Sequence, residues 1–270
     1  MITMSAAEAQ EVIDSCLHIK AGTTAIAAYQ YKDRKDFNRV CFDSPTSVKS
    51  IGEYAFLGCE KLRQIELPAS LRKIGEGAFR ECTSLEAIRI PSGVSTIPKQ
   101  CFAWCEALKR AELPETILDI SSHAFPYCYS LTEIKIPGRV KHIGSNAFSF
   151  CTSLKEVEMP ATITELESYA FAECTSLRRA VMPANSNLLG EQIFQGCVNL
   201  RELVEPSATP PKFDCDSGIF DDSEKELYEN CDLIVKPGSL ATYRIAPGWR
   251  RFPHFLPLDG KAPASRPKAP

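Results

Sequence analysis

The residues in this chain best able to do chemistry are twelve cysteines and four histidines, His18, His123, His142 and His254. Thiolates and imidazoles ligate zinc and form nucleophile–base pairs. Zinc sites need clustered ligands such as a C-x-x-C pair, and the sequence contains none. The histidines stand in no H-E-x-x-H, and no G-x-S-x-G or phosphate-cradling glycine loop occurs. His123 and His142 fall at different positions of neighbouring sequence units, which argues against a catalytic pair. The expectation is therefore a chain with no catalytic residue, no cofactor and no metal ligand.

The cysteines are instead periodic. Cys59, Cys82, Cys105, Cys128, Cys151, Cys174 and Cys197 follow one another at 23-residue intervals. Three residues before each stands a phenylalanine, Phe56 through Phe194, and three after each a leucine, Leu62 through Leu200. A proline, Pro68 through Pro206, closes each unit. The segment L-x-x-I-x-I alternates as a short half-buried strand does, and proline ends it because it cannot donate to a ladder. A unit this short cannot bury its own apolar side, so neighbouring units must stack and share a core. In such a stack each cysteine reads as a small buried filler. Thiols stacked in register have parallel side-chain vectors, which is poor disulfide geometry. All twelve cysteines are expected to be reduced.

The unit I-G-x-x-A-F-x-x-C-x-x-L-x-x-I-x-I-P resembles the BspA-like class of leucine-rich repeat proteins. The resemblance spans residues 19–206 in about eight copies. The first copy, "AIAAYQYKDRKDFNRVCF", is degenerate: Tyr31, Arg34 and Phe37 take the Phe, Cys and Leu places. What the resemblance implies is a leucine-rich repeat solenoid, a curved right-handed coil with a parallel β-sheet on its concave face and short helical caps at both ends. With no catalytic motif in the sequence, no enzymatic activity is expected. Residues 1–18 are expected to form an amino-terminal capping helix. Ser5 and Glu8 would be its capping box, and Ala9, Val12, Ile13, Cys16 and Leu17 its apolar face. Residues 207–256 are expected to form a carboxyl-terminal cap, with Ser223 and Glu226 opening a helix. Residues 257–270, rich in proline, lysine and alanine, read as a disordered tail.

Two surface columns could bind a partner. The outward strand position runs Glu66, Arg89, Glu112, Lys135, Glu158, an alternating ladder expected to pair with itself. With that cancellation and a net charge of −3 the chain is not expected to bind nucleic acid. The other column lies between Phe and Cys. It carries Trp104, Tyr127 and Phe150 in three successive units, with Tyr129 close by and Gly58, Glu81, Glu173 and Gly196 beyond the ends. These rings are expected to be substantially exposed and to form a partner-binding strip. The function expected is a non-catalytic recognition scaffold for a protein partner; the alternative is a cell-surface adhesion or glycan-binding module, and the remote alternative an enzyme with no recognisable motif. No apolar run is long enough for a membrane span. Unpaired cysteines and the absence of a leader-like start favour the cytoplasm, whereas the resemblance implies the cell surface.

Overall fold

The computed structural model describes residues 10–13, 15–186, 188–213, 218–221 and 224–258. Along them the chain winds as a parallel β-solenoid. Most coils contribute two short strands, to two separate ladders; the coil of Ile134 and Ile136 joins the first ladder only through the Arg110–Glu133 bridge. The first ladder holds the I-x-I segments, such as Ala87–Arg89, Arg110–Glu112, Glu156–Glu158 and Arg179–Val181. They pair in parallel and in register, Glu112 opposite Arg89 and Glu202 opposite Arg179. Inner residues Ile65, Ile88, Val157 and Leu203 are buried, and the residues beside them face out. The second ladder is made of two-residue strands, among them Lys73–Ile74, Asp119–Ile120, His142–Ile143 and Glu165–Leu166. The glycines that follow this ladder are required by close approach. A Cβ at Gly75 would sit 2.4 Å from the backbone nitrogen of Glu53 in the preceding coil, and one at Gly144 would sit 2.3 Å from that of Ser122.

Between the ladders, the A-F-x-x-C segment makes a third set of coil-to-coil bonds. Phe56, Phe79 and Phe102 donate their N–H groups to the carbonyls of Ala78, Cys101 and Ala124 in the following coil. The rings from Phe56 to Phe194 stack at centroid distances of 5.1 to 5.8 Å. All are fully buried. Tyr31 continues the stack onto Phe56 at 5.1 Å, as its place in the degenerate first copy requires. The repeat cysteines do more than fill space. Each thiol donates to the carbonyl of the aromatic residue one coil back: Cys82 to Phe56, Cys105 to Phe79 and Cys128 to Phe102, each at 3.2 Å. Burial pushes the thiols of Cys82, Cys105 and Cys128 up, and that of Cys59 to about 12. They stay protonated and keep the S–H that the bond needs.

The amino-terminal cap differs from expectation. Strands β1 (Gln10–Ile13) and β2 (Cys16–Ile19) form an antiparallel hairpin where the apolar spacing predicts a helix. The physical reason lies in the next elements. After β3 (Ala25–Ile26), strand β4 (Arg39–Phe42) opens the first ladder with an unpaired edge. Strand β2 covers that edge in parallel register, and β1 then covers β2. Ser5 and Glu8 lie outside the described residues.

The second correction is at the same place. Cys16 and Cys41 are joined by a disulfide, so the cysteines are not all reduced. These two sit on β2 and β4, outside the Cys column of the repeat, so the parallel-vector argument does not govern them. Nine other cysteines among the described residues are free and buried; Cys215 lies outside those residues.

The carboxyl-terminal cap contains helix α1 (Lys225–Asn230), two further rungs of the first ladder (Asp232–Val235 and Phe255–Pro257) and short helical turns between them. Tyr243, Trp249 and Phe252 plug the last coil, and the Trp249 indole donates to the Pro211 carbonyl at 2.8 Å. Ser223 and residues 259–270 of the expected tail lie outside the described residues. Pro257, placed in that tail, ends the last rung.

Candidate functional site

Two positions flank each core phenylalanine, two residues before and two after. Both hold a left-handed backbone in coil after coil. The second column comprises Gly58, Glu81, Trp104, Tyr127, Phe150, Glu173 and Gly196, with φ between 59° and 70°. The conformation aims each N–H at the next coil. Trp104 donates to the Pro126 carbonyl, Tyr127 to Ser149 and Phe150 to Ala172, at 2.8 to 2.9 Å. Glycine holds a left-handed conformation without penalty, whereas other residues lose roughly 1–2 kcal/mol. Gly58 and Gly196 meet this demand without that cost, and Glu81 and Glu173 bear it. Three large aromatics stand in the same left-handed place.

They stack on one another. Trp104 and Tyr127 lie 4.4 Å apart between centroids and Tyr127 and Phe150 4.7 Å, with interplanar angles of 14° and 15°. Tyr129 meets Tyr127 edge-on at 6.1 Å and is 38 % exposed. At the amino-terminal end the Arg80 guanidinium lies over Trp104 at 5.1 Å. It is held there by bonds to Glu81 and Gln100. The strip predicted from spacing is therefore continuous, with a cation at one end. Its three central rings are half-buried rather than substantially exposed, because each covers a face of its neighbour.

The charge column of the first ladder does not close upon itself. Arg89 pairs with Glu112 at 3.0 Å, but Lys135 turns away to Glu115 at 3.4 Å. Among the described residues Glu66 and Glu158 have no ion pair. The neighbouring column supplies Arg110–Glu133 and Arg179–Glu202 instead. An open groove runs along this face, lined by Arg110, Glu112, Glu133, Lys135 and Glu158.

Sequence spacing gave no hint of a cluster on the second ladder. His142 lies between Asp119 and Glu167, with ring nitrogens 2.5 and 3.0 Å from their carboxylates. The Asp119 hydrogen bond above all raises its pKa to about 9, despite partial burial. The imidazole is therefore protonated at neutral pH. Ser121 and Ser145 donate their hydroxyls to the two carboxylates, not to the ring. No base faces a nucleophile here, and the cluster acts as a latch across three coils. His123 is elsewhere, its Nδ1 buried without a partner. The available signal was positional: Ser121 and Glu167 replace the glycine of Gly52, Gly75, Gly144 and Gly190.

No helix among the described residues is long and apolar enough to cross a membrane. No curated protein matches the chain. Solved structures do. A leucine-rich repeat protein of T. pallidum is 27% identical, over 81% of this chain and 90% of that one, with a TM-score of 0.47. One from Eubacterium ventriosum is 20% identical, over 82% and 66%, with a TM-score of 0.50, a likeness of fold alone. A leucine rich cell surface protein of Faecalibacterium prausnitzii is 19% identical, over 93% and 80%, with a TM-score of 0.44. The family model of the BspA type leucine rich repeat region matches residues 24–138 and 119–210, in 6 copies. With its Phe, Cys and Leu columns stacked through successive coils, the chain belongs to the BspA type leucine-rich repeat family.

Proposed function

We propose that the protein is a non-catalytic recognition scaffold that binds a protein partner through the strip of Trp104, Tyr127, Tyr129 and Phe150. The observation that carries this is the placement of three stacked aromatics on a left-handed backbone, where Gly58 and Gly196 serve the fold at less cost. Side chains kept against a local penalty mark a position held for something other than folding. Tryptophan and tyrosine are the residues that dominate protein interfaces. Arg80 adds a cation that can pair with a carboxylate of the partner.

A second reading is a cell-surface adhesion or glycan-binding module. The Cys16–Cys41 disulfide favours it, since such bonds persist in oxidising compartments. The test is capture from native lysate by the wild type and by the Trp104→Ala, Tyr127→Ala double variant, with a glycan array run on both. A protein retained by the wild type and lost by an equally stable variant supports the scaffold. Array binding that the same variant abolishes, with no protein captured, supports the glycan reading. Equal capture by both proteins places recognition elsewhere.

A further inference from the structure

The hairpin that opens the solenoid brings together a set of side chains that no repeat position explains. Residues two apart on a strand share a face. On β2 these are Cys16 and His18; on and just after β4 they are Cys41 and Asp43. Leu17, Ile19 and Val40 occupy the opposite face and enter the core, so the four share the other face, where Cys16 is buried and His18 and Cys41 are partly exposed. His18 stands directly opposite Cys41 in the ladder. The sulfurs of Cys16 and Cys41 and a ring nitrogen of His18 all lie within 4.8 Å of one another. His18 Nδ1 is 3.0 Å from a carboxylate oxygen of Asp43.

We propose that Cys16, His18 and Cys41 form a thiol-switched zinc(II) site, with Asp43 orienting the imidazole: disulfide-closed when oxidised, metal-binding when the cysteines are reduced. Tetrahedral zinc holds sulfur at about 2.3 Å and nitrogen at about 2.0–2.1 Å, which sets its ligand atoms roughly 3.3–3.8 Å apart. The two sulfurs and the ring nitrogen, within 4.8 Å of one another, need only a small adjustment to reach it. Two thiolates and an imidazole, with water in the fourth place, make a donor set suited to zinc. Cys16 and His18 come from β2 and Cys41 from β4, so the metal would tie the two strands as the disulfide does. The cap keeps its cross-link in either state.

The exchange balances. A dithiol reductant attacks the S–S bond through its thiolate and leaves as its own cyclic disulfide, giving two cysteine thiols. Zinc(II) then displaces the two thiol protons to solvent, while His18 adds as neutral imidazole and the Asp43 carboxylate holds the ring by its Nδ1. In the reverse direction hydrogen peroxide takes two electrons from the thiolates. The S–S bond forms, zinc is released, and peroxide with two protons becomes two waters. Cys41 lines an open groove beside Arg39, Gln64 and Glu66, so small reagents can reach it. The repeat thiols are fully buried and lie outside this chemistry.

The experiment uses the full chain and cobalt(II) as a spectroscopic stand-in for zinc. The protein is reduced with a dithiol, desalted without oxygen and titrated. The expected result is one cobalt per chain with thiolate charge-transfer and tetrahedral d–d absorption. Zinc should displace the cobalt, and hydrogen peroxide should release it. The oxidised chain should bind none. Cys41→Ser should abolish the charge-transfer band. Asp43→Asn, which leaves the disulfide intact, should weaken affinity roughly 10–100-fold. Circular dichroism confirms that each variant is folded. A reduced, folded wild type with no tetrahedral spectrum overturns the proposal. So does an unchanged spectrum in Cys41→Ser, or a disulfide that dithiols cannot open without unfolding the chain.

Discussion

Two aromatic stacks run side by side along part of this solenoid, only two residues apart in the three coils that carry both. The phenylalanines from Phe56 to Phe194 fill each coil without a gap and are fully buried. The second stack, Trp104, Tyr127 and Phe150, spans three coils, keeps a solvent edge and sits on a left-handed backbone. The coil spacing makes both stacks possible, since any column of flat rings will stack at that period. Only the first is demanded by the fold. The second can be glycine or glutamate, as Gly58, Glu81, Glu173 and Gly196 show. A side chain that repeats everywhere reports on folding, and one that departs locally reports on use.

The largest expected effect comes from breaking the first stack. Phe102→Ala removes a ring packed between Phe79 and Phe125 and should cost about 3–5 kcal/mol in chemical denaturation. Trp104→Ala, two residues away, should cost only about 1 kcal/mol. Similar losses for both would erase the distinction between core and strip.

The next effect tests burial at the carboxyl-terminal end. Glu205 is fully buried, with Oε1 accepting the Ser207 N–H at 2.9 Å and Oε2 unpartnered. Burial pushes its carboxyl up from 4.5 to about 7. The folded chain thus holds a proton that the unfolded chain releases. Stability should fall as pH rises from about 4.5 to about 7, by on the order of 3 kcal/mol. Glu205→Gln should flatten that fall in denaturation curves taken across this range. The same slope in the variant would assign it to another group.

A finer test separates backbone from ring. Tyr127 has φ of 61°. Tyr127→Gly should be more stable than Tyr127→Ala by about 1 kcal/mol, although alanine retains more side chain. The reverse order would remove the left-handed penalty from the account. The smallest effect belongs to the charge column: Arg89→Ala breaks an exposed pair and should change stability by less than about 0.5 kcal/mol.

Much of this was legible in the sequence. The Phe, Cys and Leu columns fixed the coil and the first ladder, because a repeat averages away local accident. The aromatic strip was visible as a departure from the repeat. Its partial burial was not, because ring-on-ring cover depends on coil spacing and χ angles. The second ladder showed only as an apolar pair such as Leu71 and Ile74, too short for alternation to mark. The left-handed column left a trace in Gly58 and Gly196, masked by the larger residues between them. The end hairpin was misread because the spacing of Val12, Ile13, Cys16 and Leu17 suits a helix. What decided it was the open edge of β4, a tertiary demand that no local pattern carries. The Cys16–Cys41 pair was hidden because Cys16 read as part of a helix face, and because the parallel-vector argument for the repeat cysteines was extended to all twelve.

The two tryptophans offer the most direct measurement. Trp249 is fully buried in the end cap, and Trp104 heads the strip. Acrylamide quenching of the wild type, compared with Trp104→Phe, isolates the Trp104 signal. The account predicts that Trp104 is readily quenched in the free protein, that Trp249 is not, and that adding a captured partner shields Trp104. If Trp104 is as protected as Trp249 in the free protein, or as accessible with the partner bound as without it, the strip is not the recognition surface.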